Sequence, residues 1–124
     1  MAVLRPTSGP GDIVARDGDT LIVAQDVVLT EPIQPVTTAY GMDIIVRNSG
    51  TLDGDVDGVG LIASGQMIDI RNETTGVMSG FAGAIITISD SKFVNEGLLD
   101  GTRFGLQVRE SDNTTILNRG EIFG

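Results

Sequence analysis

A chain of 124 residues is the size of one domain. It has no His and no Cys, which excludes histidine-based catalytic triads, disulfides, haem attachment and cysteine- or histidine-held zinc. Eight Lys plus Arg against 17 Asp plus Glu leave a formal charge of −9, the wrong sign for a partner with a phosphate backbone, so nucleic acid is not expected.

Hydrophobic residues reach 40 %, yet aromatics are only 4 %, Trp is missing and 17 positions are Gly, so any core is aliphatic and thin. No run approaches the roughly 18 to 20 apolar residues that a membrane-spanning helix needs, and the opening Met1-Ala-Val-Leu-Arg5 lacks the long apolar stretch of a secretory signal. Membrane insertion is not expected.

In chain order, Asp17-Gly-Asp-Thr-Leu-Ile-Val23 and Val27-Val-Leu29 read as strands, and Pro32 and Pro35 interrupt the stretch beyond them. Residues 1–40 are therefore read as an N-terminal cap and atypical first rung, with room for one short helix, and residues 41–124 as solenoid repeats. Over that second stretch Gly-x-apolar-x-Gly occurs as Gly50–Gly54, Gly76–Gly80, Gly97–Gly101 and Gly120–Gly124. An Asn precedes each copy: Asn48, Asn72, Asn95 and Asn118, spaced 24, 23 and 23 residues apart. Two residues before each Asn stands Val46, Ile70, Phe93 or Ile116, and between copies a further glycine opens Gly60-Leu-Ile-Ala63, Gly83-Ala-Ile-Ile86 and Gly105-Leu-Gln-Val108.

Each piece alternates with a period of two, which is strand periodicity, and glycines bound it. Three short strands in a unit of about 23 residues make one rung of a solenoid, which buries its inward face only by stacking on a neighbour. The expected fold is all-β, a single-stranded parallel β-helix. Leu52, Met78, Leu99 and Ile122 should form one inward stripe, Val46, Ile70, Phe93 and Ile116 a second, and Leu61, Ala84 and Leu106 a third. The parity of Asn48, Asn72, Asn95 and Asn118 turns their amides inward or to a corner, where stacked amides can donate to one another in a structural ladder. The glycines at 50, 76, 97 and 120 should supply positive φ or room for a bend beside it.

Three features invite chemistry. Asp53, Asp55 and Asp57, with Gly58, match the opening of a calcium loop, although Ser64 occupies the place of its closing Glu; Asp17 and Asp19 carry a fainter version. These three carboxylates are the candidate metal ligands, with calcium the cofactor considered, against the plainer reading of a solvated acidic corner. Asp53 and Asp100 share a column two rungs apart, about 9 to 10 Å, a separation that could span a sugar or merely keep an outer face soluble. Arg47 and Arg71 also share a column and need shielding, for which Glu73 or Glu96 is available.

The phrases Asn48-Ser-Gly-Thr-Leu-Asp-Gly54, Asn95-Glu-Gly-Leu-Leu-Asp-Gly101 and Asn118-Arg-Gly-Glu-Ile-Phe-Gly124 resemble the Asn-x-Gly-x-Ile-x-Gly repeats of large bacterial secreted β-helix proteins, among them autotransporter passenger domains and filamentous-haemagglutinin-type adhesins. The likeness covers residues 41–124. It implies a right-handed helix of parallel strands, an extracellular or cell-surface location, and a stalk-like or adhesive role with carbohydrate or a host surface as partner. Pectate-lyase-like enzymes and phage tailspikes share the architecture, but their clefts are walled by long insertions for which these rungs leave little room. Bactofilin-like filaments have shorter rungs. The expectation is a non-catalytic structural or adhesive segment, with a polysaccharide-acting or tailspike-like fragment and a calcium-binding or filament-forming solenoid as alternatives. Because the sequence stops on a bare Gly-x-apolar-x-Gly, homo-oligomer formation through uncapped solenoid ends is expected as well.

Overall fold

The structure, a computed structural model, describes residues 2–10 and 12–124. The described residues contain fourteen strands and no helix: β1 (Val3–Leu4), β2 (Gly9–Pro10), β3 (Ile13–Val14), β4 (Thr20–Val23), β5 (Val28–Thr30), β6 (Val36–Thr37), β7 (Gly41–Asn48), β8 (Thr51–Asp53), β9 (Val59–Asn72), β10 (Val77–Ser89), β11 (Lys92–Asn95), β12 (Leu98–Val108), β13 (Thr115–Asn118) and β14 (Glu121–Phe123). Every pairing between them is parallel and joins one circuit of the chain to the next. The result is a β-solenoid of about 5 turns with equivalent residues roughly 23 apart.

Each turn visits three faces. On the first, β1, β4, β7, the second half of β9, β11 and β13 stack in that order. The second is built from β2, β5, β8, the start of β10, the start of β12 and β14. The third holds β3, β6, the first half of β9, and the later parts of β10 and β12. The long strands β9, β10 and β12 therefore turn a corner without leaving their ladders. Residues 3–37 already complete two circuits in register with the rest, the first made of two-residue strands.

Alternation places the core. In β4, Leu21 and Val23 point in while Thr20 and Ile22 point out. The three expected stripes are all present: Val46, Ile70, Phe93 and Ile116 align on the first face, Leu52, Met78, Leu99 and Ile122 on the second, and Leu61, Ala84 and Leu106 on the third. Leu4 and Leu21 extend the first stripe, Leu29 the second, and Ile13 and Val36 the third. Val46, Leu52, Leu61, Ile70, Met78, Phe93 and Leu99 are fully buried, and a buried side chain of this size contributes about 1.5–3 kcal/mol. Mainly aliphatic columns shared between rungs, with Ile44 over Ile68 and Ala63 over Ile86 beside the three named, thus do what large rings do in a compact globule.

Candidate functional site

The feature that runs through most of the rungs is the column closing the first face. Val23, Asn48, Asn72, Asn95 and Asn118 occupy it in register. Asn48, Asn72 and Asn95 are buried. Nδ2 of Asn48 donates to Oδ1 of Asn72, that of Asn72 to Asn95, and that of Asn95 to Asn118, each at 2.9 Å. Each Nδ2 also donates to a carbonyl of its own turn, from Gly50, Gly76 or Gly97. A carbonyl of the next rung, from Val77, Leu98 or Glu121, lies at 3.1–3.3 Å from the same nitrogen and shares one of its two hydrogens. The amides of Ser49, Glu73, Glu96 and Arg119 continue the backbone ladder around this corner, bonding Val23, Asn48, Asn72 and Asn95 O at 2.7–2.8 Å.

The glycines beside the ladder serve by their size. A Cβ on Gly97 would run into the carbonyl oxygens of Glu73 and Gly76, and one on Gly76 into Asn48 O and the Asn72 side chain. Positive φ among the described glycines belongs instead to Gly9, Gly18, Gly65 and Gly80, so of the two roles expected for Gly50, Gly76, Gly97 and Gly120 the structure assigns room for close approach.

A second column escaped the sequence reading. Five residues before each ladder position stand Gly18, Asp43, Met67, Asp90 and Asn113, with φ of 78°, 58°, 52°, 51° and 48°. The left-handed turn there bends the chain onto the first face, and Gly, Asp and Asn are the residues that tolerate it. Near it Ser91 and Ser111 accept from the amides of Ile68 and Ile88 of the turn before, each at 3.0 Å. The signal was readable as a recurring Gly/Asp/Asn, but Met67 breaks it.

Asp53, Asp55 and Asp57 lie along one turn, and the first two bond backbone amides beside them. Asp53 Oδ1 accepts from the amide of Asp55 at 2.8 Å, and Asp55 Oδ1 from Val56 at 2.8 Å, a turn in which Asp55 takes φ of 63°. Asp57 is exposed on the same corner. Among the described residues no group of three or more acidic side chains is gathered so as to hold a metal ion. Asp19 bonds the amides of Ala2 and Arg16 at 3.0 and 2.8 Å, and Asp17 that of Met42 at 2.9 Å, so both clamp backbone between turns.

Asp53, Ser79 and Asp100 do share an outward column on the second face, flanked by Thr30 and Phe123. They line a shallow groove with Asp55 and Thr102. Beside it Phe81 and Phe104 meet edge to face at 5.9 Å, with the Arg103 guanidinium 5.7 Å from the Phe104 ring centre. On the first face Arg47 and Arg71 stack in register as expected, but their counter-ions differ in part. Arg47 pairs with Asp69 at 3.2 Å, while Arg71 and Arg119 share Glu96 at 3.5 and 3.9 Å.

The final described rung ends this system of bonds. β13 pairs only with β11 and β14 only with β12 among the described residues, leaving their other edges without a strand. In its two core columns Ile116 is 40 % and Ile122 38 % exposed, where Phe93 and Leu99 one rung earlier are fully buried. Comparison of the chain with protein-family models, with curated proteins and with solved structures finds no match.

Proposed function

We propose that this chain is a non-catalytic structural segment of a bacterial surface or secreted protein, stalk-like or adhesive. The location and the adhesive role rest on the likeness of its Asn-x-Gly-x-apolar-x-Gly phrases to those of secreted β-helix repeats. The structural role rests on one observation, the amide ladder through Asn48, Asn72, Asn95 and Asn118, which ties successive turns into one stack. The carboxylates that could argue for chemistry are spent on turns, as at Asp53 and Asp55, or stand on an open face, as at Asp100.

Incubation with a panel of polysaccharides, read for binding and for release of reducing ends, tests the reading. Binding without cleavage is expected of an adhesive segment, and turnover of any of them would sink it.

A further inference from the structure

One corner of the solenoid departs from the others. Between the third face and the first, β9 and β10 run on as unbroken strands, and three steps of chain lead from Ile62 to Gly65 as from Ile85 to Ile88. In the turn before, four steps lead from Thr37 to Gly41 between the same register points. The extra residue is thrown outward in a turn closed by Gly41 N donating to Thr38 O at 2.9 Å, with Ala39 at φ of 46° and Tyr40 at 60°. Gly or Asn would hold this left-handed pair at less cost. The turn is nonetheless firmly built. The buried Thr38 hydroxyl donates to Ser64 O at 2.7 Å and accepts from Ser64 N at 2.8 Å, and Tyr40 N donates to Ser64 Oγ at 2.9 Å. The side chain that it presents, Tyr40, is 81 % exposed and adds little to the core.

Grooves open on both sides of Tyr40. One, of about 320 Å³, lies toward the preceding turn with Arg16 and Asp17. The other, of about 310 Å³, runs toward the following turns with Met42, Gln66, Thr87, Ser89 and Glu110. Met42, Gln66 and Ser89 stand in register, one per turn. Arg16 is exposed and makes no ion pair among the described residues.

We propose that this corner is a binding track for a neutral linear polysaccharide lying along the solenoid axis, with one sugar stacked on the Tyr40 ring. Arg16 and Asp17 bond the hydroxyls of the sugar on one side, and Gln66, Thr87 and Ser89 those on the other. The proposal rests on the adhesive part of the function proposed above and adds the ligand class and its site. Three observations choose the ligand. The amides of Ala39, Tyr40, Gly41 and Met42 are all spent, on Thr37 Oγ1, Ser64 Oγ, Thr38 O and Asp17 Oδ1, so an extended peptide finds no backbone donor there to pair with as a strand. The charge of −9 repels polyanions. What remains is an aromatic face flanked by side-chain donors and acceptors, which matches a sugar, whose C–H groups make one face apolar and whose hydroxyls need partners at the rim. The rung spacing of about 4.8 Å is also close to the advance per residue of an extended sugar chain.

Tyr40 is the single Tyr and Trp is absent, so intrinsic tyrosine emission reports from this corner alone. The probes are cellohexaose, mannohexaose and chitohexaose. At least one is expected to change that emission saturably, and oligogalacturonate, a polyanion, to leave it unchanged. By calorimetry Tyr40→Gly should bind the same probe at least about tenfold more weakly. Gln66→Ala should bind it more weakly as well, and Tyr40→Phe should keep most of the affinity. Because Gly accepts φ of 60° freely, Tyr40→Gly should also unfold at the same or a higher urea concentration, which a residue serving only the fold would not show. No response to any of these neutral probes, full affinity in Tyr40→Gly, or a lower unfolding midpoint in that variant overturns the proposal. If polysaccharides bind the parent chain and Tyr40→Gly alike, the site falls and the adhesive reading stands. If Tyr40 binds a polysaccharide that the chain also cleaves, the site stands and the non-catalytic reading falls.

Discussion

At Asn72 the side chain spends both ends on its neighbours: Oδ1 takes a hydrogen from Asn48, and Nδ2 gives one to Asn95. In a column sealed from water, such a group is held by the bonds it makes and penalised for any it loses. Replacing it with Leu removes the donor to Asn95 Oδ1 and the acceptor for Asn48 Nδ2. Asn72→Leu is therefore expected to lower stability by about 1–3 kcal/mol, read from the midpoint of urea unfolding. Met67 presents the opposite case. It is an exposed side chain forced to φ of 52° in a column otherwise filled by Gly, Asp and Asn. For an L-residue that conformation costs about 1–2 kcal/mol, much of which Asn avoids. Met67→Asn should raise stability by about 1 kcal/mol in the same measurement, and no change would show that the turn is not strained there.

Between residue and molecule, the unit of this architecture is the rung, and what limits it is how closely two rungs approach at a corner. Beside the ladder the backbones come near enough that a single methyl group collides with carbonyl oxygens from the turn below. Gly97→Ala must push two rungs apart along the first and second faces, loosening Phe93 and Leu99 together. The expected cost is about 1–3 kcal/mol, with a matching fall in melting temperature. The ion pairs on the outside of the same strands have less influence. Arg47–Asp69 and Arg71–Glu96 are partly exposed, and bridges of that kind stabilise by about 0–1 kcal/mol. Their use is to let Arg47 and Arg71 stand one above the other.

Across the whole molecule, nearly all ordering is between successive turns, so stability adds up from each rung and its two neighbours. Strands with a neighbour on both sides, from β4 to the start of β12, should show the slowest amide exchange. Protection should fall toward β1–β3, whose strands are two residues long, and toward β13–β14, whose outer edge is open. Uniform protection from β1 to β14 would mean that the chain unfolds as one block.

A solenoid writes its contacts into one dimension, because residues that touch recur at a fixed spacing. For that reason the rungs from Gly41 onward, the three inward stripes and the positions of Asn48, Asn72, Asn95 and Asn118 were legible from the amino-acid sequence alone, while the two circuits within residues 3–37 emerged only from the strand pairing. Other features depend on how far one turn lies from the next and on which way a side chain swings. Only the tertiary structure decided that Asp69 answers Arg47, that Asp53 and Asp55 turn back onto their own backbone, and that Phe81 meets Phe104 across a corner. The left-handed column was half visible in Gly18, Asp43, Asp90 and Asn113 but hidden by Met67, a residue type that gives no sign of positive φ. The direction of the amide ladder belongs to the same class. Asn carries donor and acceptor alike, and it is the stacking of rungs that orients them.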